Sequence, residues 1–374
     1  MVTTSGAVHP RVGGWGWTAP SGGTVATAQN GHMTRLRAGR RTNLALLVVL
    51  TTAFGTGLLA MSVGSPTGSA VVTALHAAAG LALLLLVPWK SVVVRRRLRR
   101  GPARVDALLL ALAVAVSLVA GLVHSVTGPI AVGEISALDV HVGAAVVAAV
   151  VAVVHVVRRP QPVRRIDLSR RTALRTLALV GGSALAYGVV EGTTRVLDLP
   201  GASRRSTGSY EVGSGDPRRM PVTQWFLDDV PRIDVDSYVL TIVASGEVMA
   251  RIPYADVVSQ STASVDAVLD CTGGWWSRQQ WRGVLLDRLL PGPEVPGRSV
   301  KVVSATGFHR RLPRRAATSV LLATSVGEAR LSPGHGAPVR LVVPGRRGFW
   351  WVKWVERVEV SSAPWWWQPP LPLR

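Results

Sequence analysis

Cys271 is the only cysteine in a chain of 374 residues, and it lies in LDCTGGWW (Leu269–Trp276), beside a Thr-Gly-Gly turn and a pair of tryptophans. A single thiol excludes an intrachain disulfide and leaves three kinds of work. It can be a nucleophile, if a neighbouring base or cation favours the thiolate. It can be a soft ligand for a metal. It can also be a small buried hydrophobe, a common fate of free cysteine. The surrounding residues supply no evident activating partner, and His309 and His335 stand at no zinc-like spacing from it. On spacing alone, core packing leads. A second set of reactive side chains is His76, His124, His141 and His155, which fall inside long apolar runs. An ionisable group at membrane depth is costly and needs a partner or a cofactor.

Those histidines are carried by segments long enough to cross a bilayer of about 30 Å. Asn43–Val63, Ser69–Val94, Val105–Thr127, Ser136–Val157 and Thr172–Val190 read as five spans, the last being the least hydrophobic, with Gly181-Gly182-Ser183 at its middle. The formal charge of +21 falls largely in arginine runs flanking these segments. Nucleic-acid binding would need that charge on a folded face, so it is set aside. Arg35–Arg41 precede the first span, Arg95–Arg104 join the second and third, and Arg158–Arg171 join the fourth and fifth, whereas Gly64–Gly68 and Gly128–Gly133 carry no basic residue. The positive-inside rule then expects a multi-pass protein of the cytoplasmic membrane, surrounded by lipid, with everything after Val190 extracytoplasmic. A soluble protein with several buried helices is the competing reading, and the alternating charge weighs against it. Residues 1–42, rich in Gly, Thr, Ser and Arg, read as a disordered cytoplasmic tail with no cleavable signal peptide.

With residues 43–192 as the five-span domain, His76, His124 and His141 lie within about 10 Å of the outer surface, taking 1.5 Å per helical residue. His155 lies near the inner end, on the same face as His141 and about 21 Å from it. Paired neutral imidazoles from facing helices hold b-type haem in bundles. LHAAAG (Leu75–Gly80) and DVHVGA (Asp139–Ala144) place small residues beside each imidazole, where a flat macrocycle could approach. This portion loosely resembles the four-helix cytochrome b membrane domains. Opposite His155 the second span reads Pro88–Lys90 (PWK), with no second histidine. The resemblance therefore implies at most one haem b, its iron held by His76 and His141, with His124 as a substitute ligand. Interfacial histidines bonded to neighbouring helices or water are the plainer alternative.

Entry to the fifth span, SRRTALRTLALVGG (Ser169–Gly182), resembles a twin-arginine export signal: Ala173 takes the apolar place, Leu174 fits, and Arg175 stands for the usual Lys. Another positive-inside cluster fits the charges equally well. An export signal here implies the twin-arginine machinery as a partner and a C-terminal domain folded around a cofactor before transport.

Ser203–Gly215, rich in Ser, Gly and Arg, reads as a linker within residues 193–220. Beyond it the texture changes. SYVLTIVASGEV (Ser237–Val248) alternates as a half-buried strand does, and its glycine turn leads into a second strand. AVLDCTGGW, VKVVSATGF and PVRLVVPG are short β-rich runs bounded by Gly and Pro, and WRGVLLDRLL (Trp281–Leu290) reads as a short amphipathic helix. The pattern expects a β-rich mixed domain over residues 221–362 and no long helix after about residue 195. A Trp/Pro-rich tail, 363–374, either lies at the membrane interface or caps the domain.

Three ordered motifs then outweigh the packing reading of Cys271. LDCTGGWWSRQQWRGVLLDRLL (Leu269–Leu290), VVSATGFHRRLP and HGAPVRLVVPGRRGFWWVKWVERVEV (His335–Val360) resemble the sulfite oxidase family of molybdopterin-dependent oxidoreductases over roughly Thr223–Val360. The resemblance implies that Cys271 gives its thiolate to molybdenum, beside the dithiolene of one molybdopterin, a role that soft sulfur suits. It implies that His335, Gly336, Pro338 and Arg340 grip the cofactor, Arg340 pairing with the pterin phosphate through its fork of donors. Lys353, followed by Trp354, is a further cofactor contact. Two departures matter. Trp275 and Trp276 stand where sulfite oxidases carry arginines for an anionic substrate, and Phe308 stands where many relatives have tyrosine. An aromatic rim is a poor fit for sulfite.

The expected architecture is a membrane α-helical bundle of five spans plus an α+β, β-rich molybdopterin-binding domain of sulfite oxidase type. The expected work is oxidoreductase chemistry: two-electron, oxygen-atom-transfer reactions at a sulfur or nitrogen centre of a small-molecule substrate. Electrons would pass singly through haem b to or from a quinone or a redox partner protein. The alternative is a non-enzymatic membrane protein with a degenerate binding domain, against which the retained Cys271 and Arg340 argue.

Overall fold

A computed structural model describes residues 39–63, 66–99, 105–133, 135–158, 160, 169–224, 229–292 and 294–369. Most of the tail 1–42, and parts of the arginine runs Arg95–Arg104 and Arg158–Arg171, lie outside the described residues.

Five helices, α1 (Arg40–Ser62), α2 (Pro66–Leu98), α3 (Val105–Thr127), α4 (Ala137–Val157) and α5 (Arg170–Val196), are each long and apolar enough to cross a membrane. α1 packs along α2, α3 along α4 and α2 along α5. α2 and α5 are longer than hydropathy alone suggests. α2 continues through Pro88 into its basic end, and α5 runs past Glu191 to Val196. Between α3 and α4 the chain turns through a two-stranded ribbon, β1 (Ala131–Val132) and β2 (Ile135–Ser136). Ser136 then starts α4 with a capping box: its hydroxyl accepts from Asp139 N–H, and the Asp139 carboxylate accepts from Ser136 N–H. Leu108, Leu112, Val119, Val150 and Val153 are exposed on the bundle's outside, which is compatible with a multi-pass membrane protein.

After α5 the elements are β3 (Tyr210–Glu211), β4 (Val239–Ala244), β5 (Glu247–Pro253), the single-turn α6 (Tyr254–Ser259), β6 (Ala263–Asp270), β7 (Trp275–Leu285), β8 (Ser299–Ser304), β9 (His309–Pro313), β10 (Leu321–Val326), β11 (Ala329–Arg330), β12 (Arg340–Val342) and β13 (Val355–Ser361). They form two sheets. One is built on β7, in the order β11-β10-β7-β3, with β12 also on β10 and β6 also on β7; the other runs β5-β4-β13-β8-β9. The pairs β3–β7 and β4–β13 are parallel, and the remaining pairs are antiparallel. Alternation explains the expected hairpin. Leu240, Ile242 and Ala244 of β4 are buried, and Ser245-Gly246 makes the turn with both residues at positive φ. The core joins Trp281, Trp351, Leu321, Leu322, Val302 and Val358.

Two expectations change, and one open choice is narrowed. Trp281–Leu290 is not a helix: it is the end of β7 followed by a short 3-10 turn, Leu286–Leu289. The first part of β7 sets a rhythm of period two, with Trp275, Ser277, Gln279 and Trp281 inward and Arg278, Gln280 and Arg282 outward. Gly283 confirms it, since a Cβ there would stand 2.0 Å from the carbonyl oxygen of Leu322 on β10. Ser203–Gly215 is not a free linker, because β3 pairs with the start of β7 (Tyr210 with Trp275) and Ser206 bonds to α2 through Ser69 and Thr73. The tail caps an edge: Gln368 exchanges hydrogen bonds with both backbone groups of Arg311 on β9, and Trp365 packs on the core. An edge strand is thereby covered. Trp366 and Trp367 stay exposed.

Candidate active site

Cys271 stands at the end of β6, and Thr272-Gly273-Gly274 turns the chain into β7. The turn is closed by Cys271 N–H donating to Trp275 O at 2.8 Å and Gly274 N–H donating to Cys271 O at 3.3 Å. Gly274 sits at φ +85, and a Cβ there would meet Leu138 at 2.7 Å and the His124 ring at 3.3 Å. Only glycine lets this turn lie so close to the helix ends. The thiol, partly exposed, lines a cleft with about 750 Å³ of empty space, open solvent included, together with Trp275, Phe308, Arg340, Trp351, Lys353 and Trp354. Among the described residues no group of three or more His, Cys, Asp or Glu is placed to hold a metal ion.

The His-Gly-x-Pro-x-Arg segment builds one wall. Ser332 caps a short turn, Pro333–His335, and Gly336 follows at φ +104, a left-handed position. A Cβ at Gly336 would press on Lys353 at 3.1 Å. Arg340 begins β12 and is buried; one Nη donates to His335 O at 2.9 Å, and its plane lies over the Trp281 and Trp351 rings. Its Nε is buried and makes no hydrogen bond among the described residues. Burial pushes Arg340 down to about 10, which leaves it cationic at neutral pH. A buried guanidinium with an unused donor has spare capacity for an acceptor group.

His335 and Lys353 are placed differently. The ring nitrogens of His335 are taken by Ser332 Oγ at 2.8 Å and Met220 O at 3.1 Å. Burial, then the charge of Arg340, lowers its pKa, so the ring is held neutral. Lys353 Nζ donates to Gly334 O at 2.7 Å, Thr223 O at 2.9 Å and Gln224 Oε1 at 3.2 Å. Both therefore brace the segment Met220–Gln224, to which Trp275 also bonds through Thr223 Oγ1 at 2.9 Å. Trp276 instead lies under Arg205, 5.0 Å from its ring centre.

Sequence reasoning passed over Arg347 and Asp270. Arg347 donates to Asp270 at 2.6 Å and to Cys271 O at 3.1 Å. The signal was in view, a buried-strand position holding a carboxylate next to the only cysteine, but its partner is 77 residues away.

In the bundle, His76 on α2 and His141 on α4 are brought together, ring centres 5.7 Å apart and nearly perpendicular. Each Nδ1 lies against a backbone carbonyl, Ala53 O at 2.9 Å for His76 and Ser117 O at 2.8 Å for His141. Neither Nε2 makes a hydrogen bond among the described residues. Metal-ligating histidines use the second ring nitrogen in this way. Gly57 and Gly121 make room: a Cβ would lie 3.0 Å from the His76 ring and 2.7 Å from the His141 ring. His124 is not part of this pair. Its Nε2 lies 3.0 Å from Gly208 O, and its own carbonyl accepts from Tyr210 at 2.6 Å. His155 pairs with Asp106 at 2.9 Å.

Residues 227–366 match the family described as oxidoreductase molybdopterin binding domain. An NADPH nitrate reductase of Mycosarcoma maydis is 55% identical over 43 residues, covering 12% of this chain and 4% of that protein. One from Phytophthora infestans is 29% identical over 168 residues, covering 36% of this chain and 18% of that protein. The chain thus spans less than a fifth of the length of these relatives. Among solved structures, the sulfane dehydrogenase SoxCD from Paracoccus pantotrophus is similar at 24% identity and a TM-score of 0.33, over 36% of this chain and 40% of that one. The C-terminal region of the chain, with Cys271 in its cleft, thus matches an oxidoreductase molybdopterin-binding domain, and five long apolar helices precede it.

Proposed function

We propose that the chain is a membrane-anchored molybdopterin-dependent oxidoreductase that performs two-electron, oxygen-atom-transfer chemistry on the outer face of the cytoplasmic membrane. The observation that carries this reading is the pairing of Cys271 with Arg340: a soft thiol and a buried cation with an orphaned Nε line the same cleft. That donor set fits an anionic, metal-bearing dithiolene group. When bound, the molybdenum cofactor supplies a metal that changes oxidation state by two electrons as an oxygen atom moves to or from substrate. The chain's residues do the rest. Cys271 holds the metal, and Arg340 neutralises and orients the pterin phosphate. His335 and Gly336 shape the wall, and Lys353 ties that wall to Met220–Gln224. Trp275, Phe308 and Trp351 line the cleft with aromatic surface, which excludes water and favours a neutral substrate over sulfite.

Haem b belongs to the same reading. His76 and His141 would hold it through Nε2 while their Nδ1–H groups bond to Ala53 and Ser117. It would supply a one-electron carrier toward a quinone or a redox partner protein. The arginines Arg170 and Arg171, exposed in the first turn of α5, would present a twin-arginine signal to its export machinery. Ser169 serves equally as that helix's N-cap, bonding Thr172 N–H.

The rival is a degenerate binding domain without activity, which the internal bonds of His335 and Lys353 favour. Molybdenum analysis of the full chain, purified from a host that makes the cofactor, separates the two. Near-stoichiometric metal that disappears in Cys271→Ser supports the enzyme, and folded, metal-free protein sinks it. A missing Soret band in the same preparation removes the haem alone. Normal outward location of the C-terminal domain after Arg170→Lys with Arg171→Lys removes the twin-arginine claim.

A further inference from the structure

Asp270, the residue before Cys271, gathers donors from two distant parts of the chain. Its Oδ1 accepts from Arg347 at 2.6 Å and from Ser209 Oγ at 2.8 Å, and its Oδ2 accepts from Thr207 Oγ1 at 2.8 Å, with Arg205 Nε at 3.7 Å. The Asp270 and Arg347 side chains are only 9% and 4% exposed. Arg347 also donates to the carbonyl of Cys271 at 3.1 Å. Its neighbour Gly348 lies so close that a Cβ would stand 3.2 Å from Cys271 Cα. The segment holding Thr207 and Ser209 is itself fixed to the bundle, by Ser206 to Ser69 and Thr73 on α2 and by Gly208 to His124 on α3.

A buried ion pair is poor evidence of stability by itself, since an apolar pair of similar volume often does as well. Its position one residue from a metal-binding thiolate gives it another use, because groups behind a metal ligand fix its orientation and tune the metal. We propose that Arg347 is the positioning residue of the molybdenum ligand: with Asp270 it locks the main chain at Cys271, and its charge balances the Asp270 carboxylate next to the thiol, in a register held by the Thr207–Ser209 segment on the apolar helices. This rests on Cys271 being the molybdenum ligand. Arg347 is not asked to touch substrate, and its charge acts through the cysteine turn.

The test uses the full chain from a cofactor-competent host, as wild type, Arg347→Gln, Arg347→Lys and the pair Thr207→Val with Ser209→Ala. Molybdenum content, the electron paramagnetic resonance spectrum of the partly reduced protein and its midpoint potential are read. Arg347→Gln is expected to keep metal, to show a changed or heterogeneous spectrum, and to titrate at a lower potential, because Asp270 is left uncompensated next to a centre that becomes more negative on reduction. Turnover with any substrate then falls about 10–100-fold. Arg347→Lys restores the potential but not the single spectral species, since the two-pronged contact to Asp270 and Cys271 is lost. The Thr207/Ser209 variant keeps the charge and disturbs the spectrum only. Metal-loaded Arg347→Gln with wild-type spectrum and potential overturns the proposal. If Arg347→Gln does not fold, an unchanged spectrum in the Thr207/Ser209 variant overturns it instead. Wild-type protein without molybdenum sinks the parent reading and this one together, a result distinct from either.

Discussion

Arg340 is a side chain held at a cost. It is buried, and its Nε has no acceptor among the described residues. An unsatisfied buried donor costs about 1–3 kcal/mol, which stacking on Trp281 and Trp351 offsets only in part at roughly 0.5–2 kcal/mol. Arg340→Met is therefore expected to raise the melting temperature of cofactor-free protein and to abolish molybdopterin retention. Thermal unfolding and metal content of one preparation check both halves, and a lower melting temperature would mean that the guanidinium is structurally satisfied. His335 yields a pH prediction. Burial depresses its pKa below the ordinary value near 6.5, so the unfolded chain takes up a proton more readily than the native one. Its contribution is fully present above about pH 6.5 and is lost as pH falls through the lowered native value. His335→Gln should flatten the stability–pH curve in that acidic window and leave its slope near pH 8 unchanged, as denaturant titrations at both ends would show.

At the scale of elements, the helices were legible because twenty-residue apolar runs have few other outcomes. The β4–β5 hairpin was legible from alternation and a Ser-Gly turn. Trp281–Leu290 misled because its leucines fall at helical spacing, while the decision lay with β6 and β10, which bond to both edges of β7. Gly283 records that decision. Gly283→Ala would drive a methyl into Leu322 O on β10, and the expected loss is at least the roughly 1–3 kcal/mol typical of overpacking. Chemical denaturation measures it. In the bundle, Gly121→Ala presses on the His141 ring at 2.7 Å and should displace it from Ser117 O. A weaker or shifted Soret band, with molybdenum content unchanged, is the expected result. An unaltered band would show that the ring is not held by that contact.

On the scale of the whole molecule, the cysteine and the three motifs around it could be read in the sequence, whereas the way they meet the five apolar helices could not. The segment 203–215 has the composition of a linker, and its bonds run to residues far off in the chain, which no local pattern reports. Its task becomes clear from the end of α3. The last carbonyls of any helix lack internal partners, and α3 ends at Thr127. Tyr210 donates to the carbonyl of His124, and Arg204 donates to that of Ser125 at 2.9 Å. Arg204 also brings a positive charge to the helix's negative end and pairs with Glu191 of α5. Both members of that pair are mostly buried, at 13% and 15% side-chain exposure. Arg204→Ala strips a cap from α3 and leaves the Glu191 carboxylate with only the exposed Arg195, 3.7 Å away, so the loss of stability should stay below the roughly 3–5 kcal/mol of a fully uncompensated buried charge. Arg204→Ala with Glu191→Ala should recover part of it, since the half-buried, weakly paired charge is gone while the missing cap remains. Unfolding of the full chain in detergent gives this cycle, and faster protease cleavage between residues 199 and 220 gives an independent readout. Equal losses in the single and double variants would mean that the cap, and not the ion pair, joins the two halves of the molecule.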